Sequence, residues 1–403
     1  MNFGKITEYM ESLKTRYGVR CADLKIMKGH DVIYRHLTGT ADYADKIPLT
    51  EQHLHNIYSA SKVLTMIAVM QLVEQGKLSL NDRLDQYLPE FGNIKKVQNF
   101  DLTEFVSTGK FLFGWPHEDT YPCVKAEHPI QIHELMSMTA GLSYELGSKH
   151  VRHVIQENPH AVTREIVRAI AKNPLLYEPG TRYAYSLGHD VLAAVVEVIS
   201  NRSFGEYMRR NIFEPLEMTD IFYQIPETEE NRVVSLYDVV MDEKSGEKIY
   251  KEQTHNICRV TDHYESGGGG ITCTVDSYIK AIEALANDGI GGSGAQILQP
   301  GSIRQLSQNR LNEQQLKDFH IGGKLEYGYG LGVRTLLDPS ASKSPVGEFG
   351  WDGAAGAYVL ADPKNKLSLF YAQAAFESGS AFAEIHPTLR DMVYDALESE
   401  VRS

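Results

Sequence analysis

The run VLTMIAVMQLV at Val63–Val73 is apolar in nearly every position. A helix that is apolar around its whole circumference cannot lie on a surface; it has to run through a core. Gly76 stands just past its end, where a helix stops readily. Other elements must therefore wrap this segment, and the residues at its N-terminal edge lie where core meets solvent. That edge reads SASK, Ser59–Lys62.

Serine followed by lysine three positions on is a cheap pattern, met here by Ser59, Ser107, Ser245, Ser277 and Ser340. Ser340 belongs to DPSASKSPVG, a Ser/Pro-rich surface loop, and Ser245 to a hairpin tip. Ser107 lies in an irregular stretch, and Ser277 is expected on a helix face turned to water. Solvated lysines stay cationic near neutral pH and cannot take a proton from a hydroxyl. Ser59 differs because it directly precedes the buried helix. There the unpaired backbone N–H groups and the helix dipole favour developing negative charge. A residue three positions on lies one turn further along the same face, which brings Lys62 near Ser59. Burial would make that lysine a usable base. Ser59 as a simple helix cap, with Lys62 pointing outward, is the competing reading of this stretch alone.

The 403 residues are 42% hydrophobic and 23% charged, the values of an ordinary globular protein with a sizeable core. With a net charge of -13 and no basic run, nucleic-acid binding is not expected. Cys21, Cys123, Cys258 and Cys273 are far apart and form no C-x-x-C, which fits a reducing cytoplasm. The N-terminus lacks the apolar core of a signal peptide and no segment reaches membrane-spanning length, so a cytoplasmic protein without a membrane partner is expected. Oligomeric state has no signal in the sequence.

Periodicity predicts an amphipathic helix over residues 2–16, with Ile6, Met10 and Leu13 on one face, then a β-hairpin from CADLKIM to DVIYRHLTG. Residues 92–128 read as a long irregular loop, and 131–212 as mainly helical. A second hairpin is expected near 238–252 and a helix at about 275–287. Strands return with YGYGLGVRT and EFGWDGAAGAYVLADPKNKLSLFYAQ, and a helix closes the chain at about 384–400. Strands at both ends and helices between them imply an α+β unit. Its N- and C-terminal strands (1–60 and 290–403) share one antiparallel sheet flanked by terminal helices, and 61–289 form an inserted, mainly helical lobe. A ligand cleft would lie between the lobes.

Several ordered blocks together resemble the serine β-lactamase and penicillin-binding protein superfamily, in particular its class C-like branch with the family VIII carboxylesterases. They are IYSASKVLTMIAVMQLVEQGKLSLNDRLDQYLPEF, HPIQIHELMSMTAGL, EPGTRYAYSLGHDVLAAVVEVIS, SGGGGITCTVDSYIKAIEALANDG and FGWDGAAGAYVLADP. The resemblance implies the β-lactamase-like fold, Ser59 as acylating nucleophile, Lys62 as its base and Tyr185 as a proton shuttle. The family's third motif falls on Trp351–Asp352–Gly353, whose backbone would run along the cleft. The N–H groups of Ser59 and Ala354 would form the oxyanion hole.

Two departures shift the expected substrate. Leu187 stands where the family has an asparagine, and Trp351 and Asp352 stand where it has lysine and threonine. Those missing groups bind the amide and carboxylate of a β-lactam or D-Ala-D-Ala peptide. With Trp351, Asp352, Gly353 and Leu187 as the substrate-binding positions, Asp352 is expected to repel a substrate carboxylate. The resemblance thus implies an esterase acting on a small-molecule ester or acyl substrate. Acyl transfer, weak β-lactamase or D-amino-acid peptidase activity are alternatives at the same site, and a non-catalytic penicillin-binding-like assembly protein is an alternative of another class. No cofactor is expected. Gly267–Gly270 lack a phosphate-binding context, and His53/His55 and His150/His153 lack further ligands, so no metal site is expected either. No G-x-S-x-G occurs, which excludes the α/β-hydrolase elbow.

Overall fold

The structure is a computed structural model, and it describes the chain except residues 108–114, 117–118, 242–244, 247, 254–255, 377 and 402–403. The hairpin of β1 (Cys21–Lys28) and β2 (Asp31–Gly39) joins five C-terminal strands: β3 (Tyr327–Tyr329), β4 (Arg334–Leu336), β5 (Phe349–Gly350), β6 (Tyr358–Asp362) and β7 (Leu367–Gln373). The seven form one antiparallel sheet in the order β3-β4-β5-β6-β7-β1-β2, so the two ends of the chain meet where β1 pairs with β7.

Alternation along these strands feeds two cores. Ala22, Leu24 and Ile26 of β1 and Leu367, Leu369 and Tyr371 of β7 face one side, where Ile6, Met10 and Leu13 of the N-terminal helix α1 (Gly4–Tyr17) cover them together with Leu389 and Val393 of the last helix. Phe370 and Ala372 of β7 point the other way, into the larger core that holds α2 (Ser61–Glu74). Every residue of α2 from Ser61 to Leu72 is buried, as its composition requires. It packs against α3 (Gly188–Ser200), while α4 (Val275–Ala286) lies on β7 and β1.

The expected long loop carries some regular structure: Lys95–Val97 pairs with Cys123–Lys125, and Leu102–Ser107 is a short helix. Residues 108–114 and 117–118 of the expected loop lie outside the described residues. Ser277 corrects an expectation. It is 3% exposed, and its Oγ accepts from the Asp220 backbone N–H at 2.9 Å. Among the described residues no helix is long and apolar enough to cross a membrane.

Candidate active site

The chain enters α2 through a 3-10 turn, Tyr58–Ala60, and bends at Tyr58, which takes φ 45°. A left-handed, non-glycine residue costs on the order of 1–3 kcal/mol and persists only where its surroundings enforce it. Here the Tyr58 ring is buried against Phe376, with centroids 5.2 Å apart. The bend leaves Ser59 partly exposed, while Lys62, one turn later, is fully buried.

Lys62 Nζ donates to Ser59 Oγ at 3.1 Å and to the carbonyl oxygen of Gly268 at 2.6 Å. Lys62 Nζ also lies over the rings of Tyr185 (4.8 Å) and Tyr144 (5.3 Å), which stack on each other at 5.2 Å and 7°. The Trp351 indole N–H donates to Tyr185 Oη at 3.1 Å. Ser59, Lys62, Tyr185 and Trp351, spread over almost three hundred positions of sequence, are thus joined in one continuous set of contacts. The competing SASK copy is not such a pair: Ser340 is exposed on a 3-10 turn, and Lys343 is paired to Asp395 on the surface. The pairs starting at Ser107 and Ser245 fall partly outside the described residues.

The third motif follows β5. Asp352 bridges to Tyr358, and the turn closes through Gly353 N–H to the Ala357 carbonyl at 2.9 Å. It lies so close to the nucleophile segment that a Cβ on Gly353 would stand 2.1 Å from the Ile57 carbonyl oxygen, two residues before Ser59. Only glycine permits that approach. Ala354 is half-buried on the same turn.

Two expectations about substrate contacts are corrected. Leu187 is 1% exposed and packs in the main core, so it offers no surface to a ligand. Asp352 does not present a bare negative charge. It is 6% exposed, accepts from Arg334 at 3.1 Å, and is ion-paired with Lys324, with His386 at 4.0 Å. Burial alone would push its carboxyl up, but the Lys324 and Arg334 charges outweigh burial and hold it well below the usual carboxylate range.

Four neighbours of the site belong to none of the residues that the motifs single out: Tyr144, Asp190, His189 and Lys324. Tyr144 follows the MSMTAGL segment. Burial pushes its hydroxyl well up, with the nearby Cys258, Tyr185 and Asp190 adding to the rise and a hydrogen bond to Ser59 opposing it. Asp190, on α3 and 1% exposed, accepts from Tyr264 Oη (2.6 Å), Ser266 Oγ (2.6 Å) and Gly268 N–H (3.4 Å), and so anchors the loop whose carbonyl holds Lys62. His189 beside it is fully buried, and burial and then the Lys62 charge push it well down, so it adds no positive charge there. Lys324 comes from the segment between the helix Glu313–His320 and β3.

A cavity of about 510 Å³ is bounded by Tyr185 and Trp351 and walled further by Tyr183, Phe319, Phe382 and Trp115. Among the described residues its charged lining is Asp318 and Lys324. The candidate metal-ligating trio among the described residues is His160, Asp262 and His263, all exposed and away from this set of contacts.

The family model described as Beta-lactamase matches residues 5–391. The chain is similar to Esterase EstB of Burkholderia gladioli, 26% identical over 388 residues that cover 90% of this chain and 88% of that protein. It is equally similar to Lovastatin esterase of Penicillium rubens, 26% identical over 389 residues, 91% of this chain and 92% of that protein. Among solved structures, EstCE1, a hydrolase with promiscuous acyltransferase activity, matches with a TM-score of 0.75 at 22% identity, covering 97% of this chain and 98% of that one. A penicillin-binding protein homologue from Caulobacter crescentus matches at 0.73 and 17% identity, covering 98% and 97%. At these identities the structural matches show the fold, which is β-lactamase-like.

Proposed function

Because the chain belongs to the β-lactamase family, matched over residues 5–391, we propose that it is a serine hydrolase that cleaves carboxylic esters through an acyl-enzyme on Ser59. The observation that carries this reading is the Lys62 Nζ to Ser59 Oγ contact of 3.1 Å inside a buried polar setting, backed by Tyr185. Ser59 Oγ attacks the ester carbonyl carbon as its proton passes to the Lys62–Tyr185 pair. The carbonyl oxygen gains the negative charge, and the N–H groups of Ser59 and Ala354 stabilise it. The C–O bond to the alcohol breaks, and the leaving oxygen takes the proton from the pair. Water then adds to the acyl carbon, gives its proton to the same pair, and the acid leaves as Ser59 Oγ recovers a proton. An alcohol in place of water turns the second half into acyl transfer.

Esters are favoured over β-lactams because Trp351 occupies the place of the family's cationic third-motif residue and turns its N–H to Tyr185. The similar proteins named as esterases fit this choice. Residues 1–60 and 290–403 as one lobe and 61–289 as the other put the nucleophile segment at their junction. No disulfide links the four cysteines, which supports a cytoplasmic site of action.

The test is a fluorophosphonate and a p-nitrophenyl ester series, run beside a chromogenic cephalosporin, with peptide mass spectrometry. A covalent adduct on Ser59, lost in Ser59→Ala together with ester turnover, is the expected result. An adduct on Ser340, or undiminished turnover by Ser59→Ala, overturns the reading. Tight covalent labelling without any turnover favours the non-catalytic binding protein.

A further inference from the structure

The cavity bounded by Tyr185 and Trp351 is apolar in most of its lining, and its two charged residues among those described are not equivalent. Asp318 is saturated. Arg182 grips both its oxygens at 2.7 Å, the Tyr183 N–H and the Gln314 amide donate to it as well, and its side chain is 3% exposed. Lys324 is the opposite case. Its side chain is 26% exposed, whereas its partner Asp352 is 5% exposed and lies behind it, shared with Arg334. The ion pair therefore stands with its positive end toward the cavity. An ammonium has three N–H donors, and Asp352 occupies only part of them.

We propose that Lys324 is an anion-recognition residue of this cavity, so that the preferred substrates are esters with an apolar body ending in a carboxylate. This rests on the ester-hydrolase reading and deepens it. The apolar walls take the hydrocarbon portion while the Tyr185–Trp351 face borders the reacting carbonyl, and the terminal carboxylate accepts from Lys324 Nζ. The expectation drawn from Asp352 in isolation is reversed in sign: the buried aspartate fixes the lysine in place and does not itself meet the substrate. Arg334 is 1% exposed and fully engaged with Asp352, Glu348 and the Val359 carbonyl, so it cannot serve this role.

The experiment compares p-nitrophenyl half-esters of linear dicarboxylic acids, in a series of rising chain length, with the same compounds carrying a terminal amide. In the wild type, kcat/KM for the carboxylate should exceed that for the amide by about tenfold or more at the best-fitting length, as expected of a charge-assisted hydrogen bond. The ratio should shrink as salt is raised. Lys324→Met should bring it down to about one or below, and Lys324→Arg should keep most of it. Lys343→Met, which changes a surface lysine far from the cavity, should leave the ratio alone. A wild-type ratio at or below one at every length overturns the proposal, and so does a ratio that Lys324→Met does not change. Should Lys324→Met fail to fold, the wild-type ratio and its salt dependence decide.

Failure of the ester-hydrolase reading looks different. If Ser59-dependent turnover is seen with the amide series and the carboxylate gives no advantage, only the Lys324 assignment falls. If neither series is turned over, the hydrolase reading falls, and binding then tests Lys324 by itself. Thermal stabilisation by free dicarboxylic acids, absent with their half-amides, supports the site; no difference between them overturns it.

Discussion

The indole N–H of Trp351 points at the hydroxyl oxygen of Tyr185, 3.1 Å away, and the two rings lie 5.7 Å apart at 27°. A phenol oxygen that accepts from an indole has its own proton directed elsewhere, and Lys62 Nζ lies 4.8 Å from the centre of the same ring. Trp351 thereby acts as a neutral donor that fixes the tyrosine.

Trp351→Phe keeps the stacked ring and removes the donor. It should lower kcat about tenfold with KM little changed, since the lost bond acts on a proton-transfer group and not on substrate binding. In a Tyr185→Phe background the same change should have almost no further effect. Steady-state kinetics on the four proteins decide it: equal losses in both backgrounds would show that Trp351 acts through packing, for instance on Tyr329, whose ring it meets edge-on at 5.0 Å.

Lys62→Ala and Tyr185→Phe should each lower kcat by roughly a hundredfold or more. Because both side chains serve the proton of Ser59, the double variant should be hardly worse than the weaker single one. Multiplicative losses in a four-protein cycle would mean two independent roles.

What the sequence made legible here depended on how local each signal is. The apolar run selected Ser59 from five candidates because burial around a whole helix is written in consecutive residues. The hairpins and terminal helices followed in the same way from periods of two and of three to four. The charge at the third motif was misjudged because Asp352 is neutralised by Lys324 and Arg334, which are 28 and 18 positions away and belong to no periodic pattern. Ser277 departs from expectation because one turn of α4 looks the same in sequence whether it meets water or the Asp220 segment, 57 positions away. Asp190 escaped notice for a related reason. Its partners Tyr264, Ser266 and Gly268 lie more than seventy positions on, and only the fold brings them together.

Glu134 offers a pH test of the fold at the tyrosine-motif side. It is 8% exposed, and burial pushes its carboxyl up to about 7, against the opposing pull of the Gln131 backbone N–H that it accepts at 2.7 Å. A carboxyl whose pKa is raised on folding keeps its proton in the native state while the unfolded chain loses it. Stability from this group is therefore complete below about 4.5 and is lost as pH rises toward about 7. Glu134→Gln has no such loss, so its melting temperature should gain on that of the wild type across that window, by at most about 3 kcal/mol of stability. Thermal melts of both proteins at pH 5 and pH 8 measure this difference; a gap that is constant or narrows with pH would show that the carboxylate is compensated in the native state.

Asp190 holds the loop that holds the lysine. Its Oδ1 accepts from Tyr264, Ser266 and Gly268, and the Gly268 carbonyl receives Lys62 Nζ at 2.6 Å. The space is tight: a Cβ on Gly268 would lie 2.5 Å from Asp190 Oδ2 and 3.3 Å from Lys62 Nζ. Asp190→Ala leaves buried donors unsatisfied, which should cost on the order of 1–3 kcal/mol of stability. A purely structural residue would stop there. A positioning residue should also lower kcat, by about tenfold, at temperatures where the variant is fully folded, and Asp190→Asn, which keeps an acceptor at that position, should recover part of the loss. The decisive comparison is made in a Lys62→Ala background. With the lysine gone there is nothing left to position, so Asp190→Ala should reduce stability as before while leaving the residual rate unchanged. A further tenfold fall in rate there would mean that Asp190 reaches the reaction by some route other than Gly268 and Lys62.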